Sequence, residues 1–319
     1  MCTAISFLTK DHYFGRNLDL EYSYHETVTV TPRNYPFRFR NGKQLQHHYA
    51  IIGMATIVAD YPLYYEATNE KGLSLAGLNF PGNAVYMDRA EQGRIGISPF
   101  ELIPWVLGQC GSVEEAESLL ARTSVVSIPF SRAYPLTPLH WHVADETRSL
   151  VVEVVEKGVT VYDNPWGVLT NNPRFPCQCA NFARYSSMSA EQPNCPPEVG
   201  EGNLSLGLGA VGLPGDYSST SRFVKAAFLR ANVQPEEKSD HQVATVFDVM
   251  GAVAPPRGVV YNNERKPHYT TYTCCMDTAR GMYFCRRHGE LQPSAYSFSA
   301  LDAAQLEICE EILDRKSQV

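Results

Sequence analysis

Along the first thirty residues, hydrophobic and polar side chains trade places with a period of two. Thr3-Ala4-Ile5-Ser6-Phe7-Leu8 alternates small or polar residues with apolar ones, as a half-buried strand does. Lys10-Asp11-His12 is polar enough for a turn, and Tyr13-Phe14-Gly15-Arg16-Asn17-Leu18-Asp19 reads as a returning strand. Such a hairpin brings Arg16 and Asp19 back towards the chain start. Glu26 to Thr31 alternates until Pro32 stops it, and Tyr49 to Val58 is a second apolar run. Tyr61-Pro62-Leu63-Tyr64-Tyr65 is an aromatic stretch suited either to a pocket wall or to core. Leu73 to Phe80 is a further strand, ended by Pro81-Gly82-Asn83, that delivers Asn79 at its tip.

The period changes near residue 98. Ser98 caps a helix that has Pro99 at its first position and Phe100 to Leu107 as its apolar face. Ser112-Val113-Glu114-Glu115 has the capping-box pattern and opens a helix over Val113 to Ala121. Ser124 to Pro138, with no clear period, is expected to be a long loop over a binding site. Strands resume at Leu139 to Val143, Ser149 to Val155 and Val159 to Tyr162, the last two joined by a Lys157-Gly158 turn. Val168-Leu169-Thr170-Asn171-Asn172-Pro173 sets two amides before a proline, either as a plain turn or as donors aimed at a site.

Residues 186–206 are polar and proline-rich, a surface excursion. Gly207-Leu208-Gly209-Ala210-Val211-Gly212 matches the dinucleotide fingerprint by letter, but Leu213-Pro214-Gly215-Asp216 stands where the phosphate-binding helix must begin. A loop is the better reading. Helices are expected at Ser221 to Leu229, His241 to Met250 and Ala300 to Leu313, and a strand pair at Tyr269 to Thr273 and Met282 to Arg286. The order of strands and helices predicts layered α+β architecture in one domain over residues 1–319.

Composition narrows the classes. An apolar share of 44% with 19% charged residues is that of a soluble globular chain, and a net charge of −7 carries no nucleic-acid footprint. No stretch reaches the roughly 18 apolar residues of a membrane span. The first residues lack a signal peptide's basic and apolar regions, which points to the cytoplasm. Nine cysteines, an odd number with irregular spacing, are expected as reduced thiols. Cys177-Gln178-Cys179 lacks zinc-knuckle spacing, and His140 and His142 share a strand face without a third ligand, so no metal is expected.

The most reactive position is then the second. Removal of Met1, which the small Cys2 side chain permits, leaves Cys2 as the first residue, with a thiol and an α-amine on one carbon. The amine's reference pKa of roughly 7.7–8.0 suits a general base, and the thiol's of about 8.5 leaves a usable thiolate fraction. N-terminal nucleophiles activated by their own amine follow this logic.

Five stretches in order resemble the choloylglycine hydrolase family, which comprises bile salt hydrolases and penicillin V acylases. They are Met1-Cys2-Thr3-Ala4, Phe14 to Asp19, Ala76-Gly77-Leu78-Asn79-Phe80, Leu169 to Pro173, and Leu213-Pro214-Gly215-Asp216 through Ser221-Arg222-Phe223. The resemblance implies an N-terminal-nucleophile fold, a four-layer αββα sandwich of two antiparallel sheets between helices. It implies Cys2 as nucleophile, Asp19 holding the freed amine, Arg16 and Arg222 tuning the developing charge, and Asn79 and Asn171 as oxyanion donors. It implies no cofactor, and four identical subunits. Asn79, and Ala59 to Tyr64, resemble the bile salt branch of intestinal Gram-positive bacteria. The expected substrates are glycine- or taurine-conjugated bile salts, with Leu18, Leu20, Tyr24, Ala67, Phe130 and Leu136 lining a steroid trough. Penicillin V or N-acyl amides are alternative substrates for the same machinery. A bile-acid- or lipid-binding protein without catalysis is the alternative outside enzymes.

Overall fold

In the computed structural model, which describes residues 1–194 and 205–309, the chain start lies inside a sheet. Strand β1 (Cys2–Leu8) turns into β2 (His12–Leu20), and the antiparallel register sets Cys2 opposite Leu18, Ala4 opposite Arg16 and Ile5 opposite Gly15. Then come β3 (Thr27–Thr31), β4 (Phe37–Arg38), β5 (Gln44–Leu45), β6 (Ile51–Val58), β7 (Tyr61–Asn69), β8 (Ser74–Asn79) and β9 (Ile95–Ile97). Helices α1 (Leu102–Leu107) and α2 (Val113–Leu120) precede β10 (Thr123–Val125), β11 (Leu139–Ala144), β12 (Ser149–Val155), β13 (Gly158–Asp163) and β14 (Val168–Leu169). The remainder is α3 (Phe175–Ala183), α4 (Ser219–Asn232), α5 (Ser239–Gly251), β15 (Tyr269–Asp277), β16 (Met282–Arg287), β17 (Ser294–Ser297) and β18 (Glu307–Ile308).

Two antiparallel sheets carry the architecture. One runs β14-β1-β2-β15-β16-β17 and the other β13-β12-β11-β8-β7-β6-β3-β18. Helices α4 and α5 lie on the first sheet and α1 on the second, giving the αββα order expected from the sequence. One apolar core joins the sheets to each other and to α4 and α5, and a second lies between the eight-stranded sheet and α1 and α2. Buried apolar faces of this extent drive the sheets together, since each sheet must cover its hydrophobic sides.

Four expectations are corrected. Strand β1 is buried on both faces from Cys2 to Phe7, not half-buried, because α4 and the facing sheet cover it from either side. The aromatic run after Asp60 is the start of a nine-residue strand, β7. Helix α3, behind the cis Asn172–Pro173 bond, has no counterpart in the sequence reading. The helix expected over 300–313 is not formed within the described residues, where β18 instead adds an edge to β3 and Cys309 donates its N–H to Val28 O. Residues 310–313 of that expectation lie outside the described residues.

Helix α5 approaches the β1–β2 hairpin closely at one glycine. A Cβ on Gly15 would stand 2.6 Å from Val246 Cγ1, so the Phe14-Gly15-Arg16 motif admits the helix only without a side chain there.

Candidate active site

Cys2 opens β1 at the end of the sandwich and is 3% exposed. Three side chains reach it or its immediate neighbours. The first is Arg16, which faces Cys2 because its partner Ala4 shares the same sheet face two residues on. Its Nη2 donates to Cys2 Sγ at 3.3 Å, and its Nη1 donates to Glu66 Oε2 at 2.8 Å. Burial works against this guanidinium's charge, yet the facing Cys2 sulfur, Tyr272 and Glu66 more than offset it and hold its pKa well above the ordinary value.

Arg222 comes from the opposite direction, on the first turn of α4, which Ser218 caps by accepting from Ser221 N. It is fully buried and donates to the Cys2 carbonyl, to Thr3 Oγ1 at 2.6 Å and to Asn171 Oδ1 at 2.8 Å. Burial lowers its pKa, with Asp19 and Cys2 opposing. Asn171 Oδ1 also accepts from Cys2 N at 2.8 Å, while Asn171 Nδ2 donates to the Asn79 carbonyl at 2.7 Å. Those partners fix which end of the amide is oxygen. Asn79 itself stands exposed at the tip of β8.

Asp19 pairs with the residue before the cysteine: its N–H bonds Met1 O at 3.1 Å, and Met1 N donates to Asp19 O at 2.9 Å. Its carboxylate is buried. Oδ1 accepts from Thr270 Oγ1 at 2.7 Å and Oδ2 has no partner among the described residues. A buried carboxylate oxygen without a donor is costly.

The six residues expected to be catalytic therefore share one end of the molecule. Those proposed for the steroid trough are dispersed. Leu18 is buried opposite Cys2, Leu20 is half-buried, and Tyr24 and Leu136 are exposed. Ala67 is buried in the core beneath α1 and has no surface. Phe130 packs against Tyr61, Phe100 and Tyr134 and lines a cavity of about 810 Å³ whose walls include none of the six catalytic candidates.

Gln178 and Glu66 support the site and escape the sequence reading. Gln178, buried on α3, directs Nε2 at Thr170 Oγ1, Asn171 O, Asn172 O and Ser219 Oγ and so clamps the turn that carries Asn171. His140 Nε2 bonds Thr170 O at 2.9 Å with its ring stacked on Phe80, and His142 bonds Asn164 at 3.2 Å. Burial pushes both histidines down to about 3, so they are neutral structural groups. Glu66 was also missed. It is the one charged residue in β7, and that isolation is the signal the sequence offered.

Known proteins resemble this chain in sequence and fold. The family model for linear amide C–N hydrolases, choloylglycine hydrolase family, matches residues 2–313. A bile salt hydrolase/transferase of Lactiplantibacillus plantarum is 45% identical over 310 residues, covering 96% of this chain and 95% of that protein. A crystal structure of a variant conjugated bile acid hydrolase from Clostridium perfringens superposes with a TM-score of 0.88 at 35% identity, over 98% of this chain and 97% of that one. A penicillin V acylase from Agrobacterium tumefaciens, at TM-score 0.75 and 22% identity over 96% and 90% of the two chains, shares the fold.

Proposed function

The chain belongs to the choloylglycine hydrolase family of linear amide C–N hydrolases, and on that premise we propose that it cleaves glycine- or taurine-conjugated bile salts through Cys2. The observation that carries the reading is the convergence on one residue, Cys2. Arg16 Nη2 lies 3.3 Å from Cys2 Sγ, Arg222 and Asn171 bond the Cys2 backbone, and the Asp19 backbone pairs with Met1 next to it.

Loss of Met1 turns the Cys2 nitrogen into an α-amine within reach of Asn171 Oδ1, with Asp19 as counter-ion. The thiol proton passes to that amine, and the sulfur attacks the amide carbon. The carbonyl π pair moves onto oxygen, where amide N–H groups of Asn79 and Asn171 receive it. Collapse expels glycine or taurine, which takes its proton from the α-ammonium. Water, deprotonated by the same amine, then opens the thioester and releases the bile acid. No metal or cofactor has a step to perform.

The bile salt reading rests on the names of relatives at 45% and 39% identity and on a structure at 35% identity; the penicillin V acylase likeness supports the fold. Because two of those relatives are called hydrolase/transferase, transfer of the thioester's acyl group to an acceptor other than water is a second reading. We further propose one domain across the chain, a cytoplasmic site of action and a tetramer of identical subunits. No helix among the described residues is long and apolar enough to cross a membrane.

The test is an amidase assay in reductant comparing glycocholate, taurocholate and penicillin V by product mass, with Cys2→Ala as control and the N-terminal mass recorded. Release of cholate that disappears in the variant supports the proposal. Faster cleavage of penicillin V, or a retained Met1 in the active protein, overturns the substrate or the nucleophile respectively.

A further inference from the structure

Behind Arg16 lies a cluster that the amide chemistry leaves unused. Glu66, on β7 of the eight-stranded sheet, projects between the sheets and is fully buried. Its Oε2 accepts from Arg16 Nη1 at 2.8 Å and from the Tyr272 hydroxyl at 2.7 Å. Its Oε1 accepts from the Tyr283 hydroxyl at 2.7 Å and from Cys274 Sγ at 3.7 Å. All four neighbours donate. Burial, with the Glu66 charge adding to it, holds Tyr272, Tyr283 and Cys274 well above their ordinary pKa values, so they keep the protons they donate. Cys274, which had no role in the sequence, gains one here.

A bulge brings the carboxylate to this place. Along β6 and β7, Ala55 opposes Tyr64 and the next residue, Met54, opposes Glu66, leaving Tyr65 unopposed. Tyr64 packs in the outer core under the helices, and unbroken alternation would send Glu66 after it. The extra residue turns Glu66 inward instead. Gly53 makes room, since a Cβ there would stand 2.2 Å from the Glu66 carbonyl oxygen.

We propose that Glu66 is a positioning residue that fixes Arg16 against the Cys2 sulfur and offsets part of its charge. A guanidinium is a rigid planar fork, so pinning Nη1 on Glu66 directs Nη2 at Cys2 Sγ. This rests on Cys2 being the nucleophile and adds how its cation is held. Charge coupling gives the proposal a sign. Removing the Glu66 charge leaves Arg16 with the sulfur as its anionic partner and favours the thiolate. Removing one donor to Glu66 strengthens its hold on Arg16 and disfavours the thiolate. General loss of packing does not move one site in two directions.

The experiment follows the pH dependence of Cys2 alkylation by iodoacetamide, read as mass of the N-terminal peptide, in the full-length parent, Glu66→Gln and Tyr283→Phe. Turnover of glycocholate is measured alongside. The expected midpoint falls by about one pH unit in Glu66→Gln and rises by a few tenths in Tyr283→Phe. In Glu66→Gln, kcat falls at least about tenfold while KM stays within about twofold. Midpoints within about 0.2 unit of the parent, or displaced in the same direction, in cooperatively melting variants overturn the proposal. If Glu66→Gln does not fold, the Tyr283→Phe shift alone decides, and its absence or reversal is the refuting result. A parent whose Cys2 resists alkylation sinks the nucleophile reading and this proposal with it, whereas a normal parent with unmoved variants sinks this proposal alone.

Discussion

Replacing Asn171 by alanine separates the transition state from the ground state. The side chain makes three bonds: Oδ1 accepts from Cys2 N and Arg222 Nη2, each at 2.8 Å, and Nδ2 donates to Asn79 O at 2.7 Å. The second Nδ2 hydrogen has no partner among the described residues and is the one proposed to meet the oxyanion. Loss of one such donor raises a barrier by about 2.7–4 kcal/mol, or about 10²–10³ in kcat. Alanine also leaves Arg222 Nη2 and Asn79 O short of a partner, at about 1–3 kcal/mol of stability, so folding is checked first by thermal melt. The assay is steady-state release of cholate from glycocholate at 25 °C. The expected result is a fall of about 10²–10³ in kcat with KM within a few-fold. Asn171→Asp keeps Oδ1 and the reach but sets an oxygen against the Asn79 carbonyl, and is expected to be at least as slow. A kcat within about fivefold of the parent, or a loss confined to KM, refutes the donor role.

Three further outcomes are expected. Gly15→Ala, which forces a Cβ to 2.6 Å from a stiff valine, is expected to lose about 1–3 kcal/mol by urea titration, and Val246→Ala in the same chain to restore part of it; additive losses exclude the clash. Burial lowers His12 to about 4 and His140 and His142 to about 3, so between about pH 6.5 and those values the unfolded chain binds protons that the folded chain refuses. Their stability is complete above about pH 6.5 and declines as pH falls, by roughly 2 kcal/mol each at pH 5, and His142→Gln is expected to lessen the drop in melting temperature from pH 7 to pH 5. An unaltered drop means that His142 is not the buried neutral group described. Asp19→Asn is expected to reduce kcat by at least about tenfold without preventing Met1 removal, because it withdraws the proposed counter-ion of the α-ammonium; parent-like turnover in a mature protein of correct mass removes Asp19 from the mechanism.

Elements were legible where periodicity and punctuation agreed. The β1–β2 hairpin, the β12–β13 pair and the helix capped at Ser112 lie where alternation, glycine and capping patterns put them. The helix expected over 300–313 misled because its apolar residues fit a helical period, while the structure offers a free edge at β3 that pairs Glu307 and Ile308. Tertiary pairing overrode local propensity there. Strand β7 was hidden by Pro62 and by the bulge at Tyr65, which breaks the alternation by which a strand is recognised.

The same bulge explains why half of the site's logic was invisible. Cys2, Asp19, Asn79, Asn171 and Arg222 sit at the chain start, near strand tips or on a first helical turn, where the chain leaves its periodic pattern; Arg16 lies mid-strand in β2 and stands out as a buried charge within a motif. Their supports sit in the interior of regular elements: Glu66 in β7, His140 in β11, Gln178 in α3, Tyr272 and Tyr283 in β15 and β16. There a polar letter has no meaning until its face is known, and for Glu66 the face is set by one unopposed residue on a neighbouring position. Two buried arginines flank Cys2, Arg16 at its sulfur and Arg222 at its carbonyl, and their two charges together favour a tightly held ion pair with a thiolate. Asp19 and Glu66 supply the opposing charges, one on each side. The sequence motifs name the groups proposed to meet the substrate. The charge balance proposed to leave the sulfur free to react is written across the gap between the sheets.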